Sequence, residues 1–272
     1  MGSRSEPGAF ERNAPYAPTP DNRPAPLEHS PLDLTREANT QMSFGERAAV
    51  EGILAQLRPE LAVEIGTAAG GTLARIARYA GEVHSVDISH AELASDVPEN
   101  VHLHEGPSAE LLPPLLAEFT AAGRILDFAL VDGDHSFDGV IGDVRTLLDS
   151  PCTARSVILV HDSMNAEIRA GLERAGVEAY EKVVYFEPDF IAGYLYAEGA
   201  AAGAVWGGLA LILCDHPRSG AYRRSVRQWR YREPYEAIHR MRAELNGASA
   251  DPATGARSPV LRRLARVLRR SG

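Results

Sequence analysis

No run of apolar residues in this 272-residue chain is long enough to cross a bilayer. Cysteine is almost missing: Cys152 and Cys214 supply neither a disulfide framework nor a zinc motif, so both are expected as reduced thiols in or near the core. The cytoplasm is then the simplest address. A secretory h-region is missing too. Residues 1–31 are polar and hold seven prolines, and residues 1–40 are expected to be a disordered Pro-rich N-terminal segment. Basic charge is scarce until the end of the chain. The net charge is −9, but residues 217–272 carry 14 of the 28 basic side chains and four acidic ones, which leaves −19 on residues 1–216. Such an acidic body argues against a general nucleic-acid binder, and no specific nucleic-acid binding is expected. There is no internal repeat.

The most informative stretch that is present runs from Ala62 to Gly71. An apolar strand enters a glycine-rich turn and a helix follows, while Asp87 closes the next apolar run, Val83 to Val86. Glycines let a backbone approach a ligand closely, a helix start offers free N–H groups, and an acid ending the second strand can accept from a ribose diol. A dinucleotide turn would carry glycine at its second glycine position; here Ala68 puts a Cβ where a pyrophosphate would press. Glu64, two residues before Gly66, would repel a diphosphate and attract an ammonium group, directly or through water. S-adenosylmethionine has that ammonium, a ribose and no phosphate.

Periodicity places the remaining elements. Ser43 and Glu46 form a capping box for a helix with Val50, Ile53, Leu54 and Leu57 on one face. Further strands are expected at Val101–Leu103, Ile125–Val131, Val157–Val160, Lys182–Phe186 and Leu209–Leu213, with helices between them. Ser108 is expected to cap a helix starting at Ala109, which Pro113 and Pro114 should bend or break. The fold class is α/β, a doubly wound, Rossmann-like sheet with helices on both faces. Residues 188–206, rich in aromatic residues and glycine, read as a packed surface helix, with an aromatic wall over an acceptor site as the functional alternative. His84, His102 and His104 read as ordinary strand-flank residues.

Two strand ends carry the chemistry: Val131-Asp132-Gly133-Asp134-His135-Ser136 and Val160-His161-Asp162-Ser163. Ligands of open α/β sheets bind at the carboxyl ends of the strands, so these stretches converge beside the glycine turn. Their oxygen donors suit a hard divalent cation such as Mg²⁺. Methyl transfer to a hydroxyl needs that oxygen to shed its proton, which a cation and a base assist. His135 is the natural base, and Asp134 could orient a ring or complete the ion's shell.

The E-x-G-x-A-x-G-G string, Asp87, and these two strand-end motifs resemble class I S-adenosylmethionine-dependent methyltransferases. The resemblance extends over about residues 41–215. It is to a bacterial subgroup containing metal-dependent sugar O-methyltransferases of macrolide tailoring and proteins labelled cephalosporin hydroxylase. It implies seven strands with the last antiparallel. It implies Glu64, Gly66, Ala68, Gly70, Asp87, Gly106, Ser108 and Asp132 around the cofactor, Asp132, His161 and Asp162 on the metal, and His135 and Asp132 in catalysis. His161 stands where relatives often have an acid, which implies a weaker or softer ion site, and Ser163 stands where catechol-type enzymes use an amide. The acceptor expected is a hydroxyl of a sugar, glycan or natural product. The alternatives are an NAD(P)-dependent oxidoreductase and a non-catalytic cofactor-binding scaffold.

Residues 41–216 are expected to form the catalytic domain and residues 217–272 an Arg-rich extension. Within the extension, Arg223 to Arg232 read as a packed helix rather than an RNA-binding stripe. Residues 257–270 form a basic amphipathic segment that could dock on an anionic membrane, such as the inner membrane surface, or on a partner. A homo-oligomer is a further expectation.

Overall fold

The structure is a computed structural model that describes residues 41–93, 97–197, 202–215, 224–225 and 232–249. The expectations for residues 1–40 and 257–270 lie outside the described residues. In chain order the elements are α1 (Phe44–Leu57), β1 (Leu61–Ile65), α2 (Gly71–Tyr79), β2 (Glu82–Asp87), β3 (Val101–Glu105), α3 (Ser108–Ala121), β4 (Phe128–Val131) and α4 (Phe137–Asp149). They continue with β5 (Val157–His161), α5 (Ala166–Ala175), β6 (Val183–Ile191), β7 (Tyr194–Leu195), β8 (Val205–Trp206), β9 (Leu209–Cys214), β10 (Arg224–Ser225) and α6 (Arg232–Ser249).

The main sheet runs β10-β6-β9-β5-β4-β1-β2-β3. β9 is antiparallel to both neighbours, and every other pair is parallel. Seven long strands thus appear in the expected arrangement, with the two-residue β10 added at the outer edge. Strand alternation sorts the core into two layers. Leu61, Val63 and Ile65 of β1 face α3, α4 and α5, whose Leu116, Val144 and Leu172 are buried against them. Ala62 faces the other way, with Phe128 and Leu130, against Val50 and Leu54 of α1 and Ile76 of α2. The sheet is therefore covered on both faces, which explains the near-continuous apolar strands. Cys152 and Cys214 are buried free thiols.

Several local expectations are corrected. β4 begins only at Phe128, because Asp127 turns its carboxylate to the N–H groups of Glu60 and Leu61 (2.9 and 3.2 Å) and Ile125 is exposed. α3 continues through Pro113 and Pro114; the helix loses two amide donors, but Leu112, Leu115, Leu116 and Phe119 are buried and hold it in place. Ser108 is the first residue of α3 rather than its cap, a position taken by Pro107.

Residues 188–206 form no helix where described. β6 extends to Ile191, and β7 pairs with β8 as an antiparallel ribbon. Gly203, Gly207 and Gly208 have φ of 83°, 74° and 88°, which a right-handed helix does not allow. In the stretch expected to be a helix from Arg223 to Arg232, residues 224–225 are instead a strand. α6 docks through Ile238, buried with Met164 and Val205, and through Tyr235, whose ring lies 4.5 Å from the Arg169 guanidinium carbon.

Candidate active site

A cavity of about 880 Å³ opens at the carboxyl ends of β1, β2, β3, β4 and β5. Its floor is the glycine turn. Gly66 has φ 89°, and a Cβ there would lie 2.1 Å from the Asp132 carbonyl oxygen, so only glycine lets β1 and β4 close at this point. Gly70 caps α2 in the left-handed region. Ala68 is also left-handed, at φ 44°, a conformation costing on the order of 1–2 kcal/mol for a residue with a Cβ. Asp87 holds this turn: its Oδ2 accepts from the N–H groups of Thr67 and Ala68 (2.6 and 3.2 Å) and its Oδ1 from that of Ser89. Burial alone would raise the Asp87 carboxyl, but these donors outweigh it and keep the group below its ordinary value.

Glu64 is not on the cavity wall. It lies fully buried behind the turn, on the α1–α2 side of β1. Oε2 accepts from Ser85 Oγ at 3.1 Å, which in turn lies 2.5 Å from Thr67 Oγ, and Oε1 has no hydrogen-bond partner. Burial pushes the Glu64 carboxyl well above the usual range, so it is poorly suited to present a charge to an ammonium group. Two other carboxylates, Asp87 and Asp132, line the cavity and are held below their ordinary values.

At the far end of the cavity Gly106 and Ser108 meet α4. Ser108 Oγ donates to Asp143 Oδ1 at 2.6 Å, while Asp143 Oδ2 is buried without a hydrogen-bond partner. Burial, more than the nearby Asp134, pushes Asp143 up to about 6 despite the Ser108 bond. Asp143 lines the cavity and is not among the residues expected there from sequence. The signal was there: the apolar stripe Val140, Val144, Leu147 and Leu148 carries an acid in its middle.

The strand-end residues converge at the cavity's other side. Asp132 Oδ1 lies 2.8 Å from His161 Nδ1 and 3.3 Å from His135 Nε2. Asp162 Oδ2 lies 3.3 Å from His135 Nε2 and 3.5 Å from His161 Nδ1. Asp162 has a φ of 55°, a second strained residue at the rim, and its Oδ1 accepts from Gly207 N–H at 2.5 Å. Asp134, by contrast, accepts from Ser136 N–H at the start of α4. Ser163 is buried with its hydroxyl unpartnered.

Behind His161 stands Glu46 of α1. Its Oε2 accepts from Ser43 N–H, completing the capping box, and its Oε1 lies 3.1 Å from His161 Nε2 and accepts from Gly208 N–H at 2.5 Å. The capping box was legible; the contact with a histidine 115 positions later was not. Burial lowers the His161 imidazole, but Asp132, Glu46 and Asp162 more than compensate and raise it well above its usual value. Hydrogen bonding to Asp132 raises His135. Burial would raise the Asp132 carboxyl, yet the two histidines bring it below its ordinary value, while burial lifts Asp162. His135 sits half-open at the rim with the edge of Trp206 against it, ring centroids 5.7 Å apart. The ribbon β7–β8 thus places an aromatic ring beside the candidate base.

One donor atom from each of Asp132, His161 and Asp162 lies within 4.8 Å of the others. This set fits a divalent cation: Glu46 on Nε2 fixes the ring so that Nδ1 faces the two carboxylates, the usual support for a metal-bound histidine. The glycine floor and the unpartnered oxygen of Asp143 fit an adenosine-bearing cofactor lying along the cavity.

Known proteins resemble this chain in sequence and in fold. Residues 63–163 match the family described as Methyltransferase domain. Rhamnosyl O-methyltransferases of Mycobacterium tuberculosis and Mycobacterium bovis are 32% identical over 165 residues, which cover 56% of this chain and 65% of theirs. The chain thus spans just under two thirds of the length of those relatives. Among solved structures, an O-methyltransferase from Bacillus cereus in complex with SAH is similar at 15% identity, TM-score 0.48, covering 65% of this chain and 84% of that one. An O-methyltransferase from Streptomyces achromogenes in complex with SAM is similar at 16% identity, TM-score 0.48, with 64% and 81% covered. Residues 63–163 thus match a methyltransferase domain, and the sheet around them has the strand arrangement that the sequence resemblance implied.

Proposed function

We propose that this chain transfers the methyl group of S-adenosylmethionine to a hydroxyl of a sugar or sugar-bearing small molecule. The observation that carries this reading is the meeting of His135, Asp132, Asp162 and His161 at one point of the cavity whose floor is the Gly66 turn. A rhamnosyl acceptor is the first to try, because the similar mycobacterial proteins are rhamnosyl O-methyltransferases.

The cofactor supplies an electrophilic methyl on a sulfonium. Gly66 and the backbone of Thr67, Ala68 and Ala69 would give it a surface to lie against, and Asp87 keeps the turn in shape and would accept from its ribose. Asp143 Oδ2, beside Gly106 and Ser108, would accept from the adenine amino group, and the ionised Asp132 would answer the ammonium. A divalent cation held by Asp132, His161 and Asp162, with Mg²⁺ the first candidate, would lower the pKa of the acceptor hydroxyl. Glu46 supplies, from α1, the buried negative charge that His161 in place of an acid would otherwise remove. His135 Nε2 takes the hydroxyl proton, and the resulting imidazolium sits between Asp132 and Asp162, which favour it. Trp206 and the half-exposed His135 mark the side on which the acceptor enters.

Calorimetric titration with S-adenosylmethionine and with NAD(P), followed by transfer of a labelled methyl to rhamnosyl acceptors, tests this. Binding of the first cofactor and label in the sugar are expected. Binding of NAD(P) alone would replace this reading with the oxidoreductase one, and cofactor binding without transfer to any hydroxyl would leave a non-catalytic scaffold.

A further inference from the structure

Among the described residues a second group of donors lies away from the cavity, at the sheet's edge. β2 and β3 pair in parallel with His84 opposite His102 and Val86 opposite His104, so the three histidines share one face of the sheet. Their rings are stacked: the His84 centroid is 4.9 Å from that of His102 and 5.1 Å from that of His104. Glu82 joins them from the start of β2. Its Oε1 lies 2.6 Å from His84 Nε2 and 4.0 Å from His102 Nε2. One donor from each of Glu82, His84 and His102 lies within 4.8 Å of the others.

We propose that Glu82, His84 and His102 bind a zinc-class transition-metal ion at this edge. Four-coordinate zinc with bonds of about 2.0–2.2 Å holds its donors roughly 3.4 Å apart. The His84 contact must therefore open, and that of His102 close, by less than about 1 Å. His102 is free to do this, because its side chain is 53% exposed, and the same exposure gives the ion a way in and a position for water. His84 is the fixed member: it is buried, Phe119 packs edge-on against its ring, and its Nδ1 lies 2.9 Å from His104 Nε2. A proton on Nδ1 donated to His104 leaves Nε2 facing the ion, so His104 is the supporting partner. Arg124 donates to both oxygens of Glu82, Nη1 to Oε1 at 3.1 Å and Nη2 to Oε2 at 2.9 Å; metal binding gives up the first bond and keeps the second. Two imidazoles and one carboxylate select a borderline metal over Mg²⁺ or Ca²⁺. Glu82 and Asp87 stand at opposite ends of β2, about 16 Å apart at the usual strand rise, so this site is separate from the one on the cavity.

The test is a Zn²⁺ titration of the chelator-stripped full chain against a chromophoric competitor. A protein carrying Asp132→Asn, Asp162→Asn and His161→Ala removes the cavity's three donors. It is expected to keep one equivalent of zinc, and adding His102→Ala should weaken that binding at least tenfold. Thermal unfolding supplies a second readout: zinc should raise the midpoint of the first protein and not of the second, with equal midpoints when metal-free. His102→Ala alone should leave methyl transfer unchanged. No zinc bound after loss of the cavity donors, or binding unaffected by His102→Ala, would overturn the proposal.

Discussion

Replacing Asp143 by asparagine separates what this carboxyl costs the fold from what it gives a ligand. The group is 3% exposed, with one oxygen on Ser108 and the other unpartnered. Its titration moves from the ordinary 3.8 to about 6 in the native state. At about 1.36 kcal/mol per pH unit, the native state forgoes on the order of 3 kcal/mol at neutral pH. Below about pH 4 both states hold the proton and there is no penalty. Between about pH 4 and pH 6 the unfolded chain ionises first, so stability falls as pH rises, and above that the loss is complete. Asparagine still accepts from Ser108 and has no charge to bury. Its amide N–H₂, placed where Oδ2 was, costs about 1–3 kcal/mol, but equally at every pH. The stability difference between variant and wild type should therefore swing toward the variant by up to about 3 kcal/mol between pH 4 and pH 7.5. Urea unfolding across that range measures the swing, and a difference that is flat with pH would refute the reasoning. On the ligand side, an amide N–H cannot accept from the adenine amino group. Asp143→Asn should bind S-adenosylhomocysteine about tenfold more weakly, some 1.4 kcal/mol, and lose preference over the inosine analogue. Unchanged preference would remove Asp143 from the adenine end.

The other expectations concern the turn and the strand-end cluster. His135→Ala should lower turnover by about 10²–10⁴-fold with cofactor affinity nearly unchanged; turnover at the wild-type rate would exclude it as the base. Gly66→Ala drives a Cβ into the Asp132 carbonyl, so a large fall in thermal midpoint and loss of cofactor binding are expected, and a wild-type melting curve would contradict that close approach. Glu46→Gln keeps an oxygen for Ser43 yet removes the charge behind His161 and turns an amide N–H₂ toward the N–H of Gly208; divalent-metal affinity should drop by roughly 10–100-fold, measurable by Mn²⁺ titration, and stability should fall by about 1–3 kcal/mol. Chelation should suppress methyl transfer and added Mg²⁺ should restore it, whereas activity indifferent to chelator would leave His135 without a cation partner.

The sheet was legible because its strands are buried on both faces and read as short apolar runs broken by capping and glycine signals. The errors came where a side chain took over a backbone role or where burial outweighed propensity. Asp127 shortened β4 by occupying two amides, and four buried apolar residues carried α3 through two prolines. Residues 188–206 read as a packed helix, but β6 runs on to Ile191 and Tyr194–Leu195 pair with Val205–Trp206 as a ribbon, with Gly203 left-handed. At the site, Asp132, His135, His161 and Asp162 could be placed because strand ends of an open sheet share one rim. Glu64 could not be placed, since β-strand alternation sends it to the α1–α2 layer and only the packed structure shows that no opening reaches it. Glu46 was hidden for a different reason: its first task, closing a helix turn, accounted for it fully in sequence.

That double use of Glu46 ties two events that are otherwise independent. The carboxylate that satisfies the amide of Ser43 also supports His161, so the first turn of α1 cannot fray without releasing the imidazole, and the imidazole cannot change partners without loosening the turn. Gln41 and Met42, just ahead of that turn, line the cavity. Order at the start of α1 and readiness of the strand-end cluster form one cooperative unit. Occupying the cluster should therefore be felt as slower amide exchange at Glu46 and Arg47, whose N–H groups are held by Ser43.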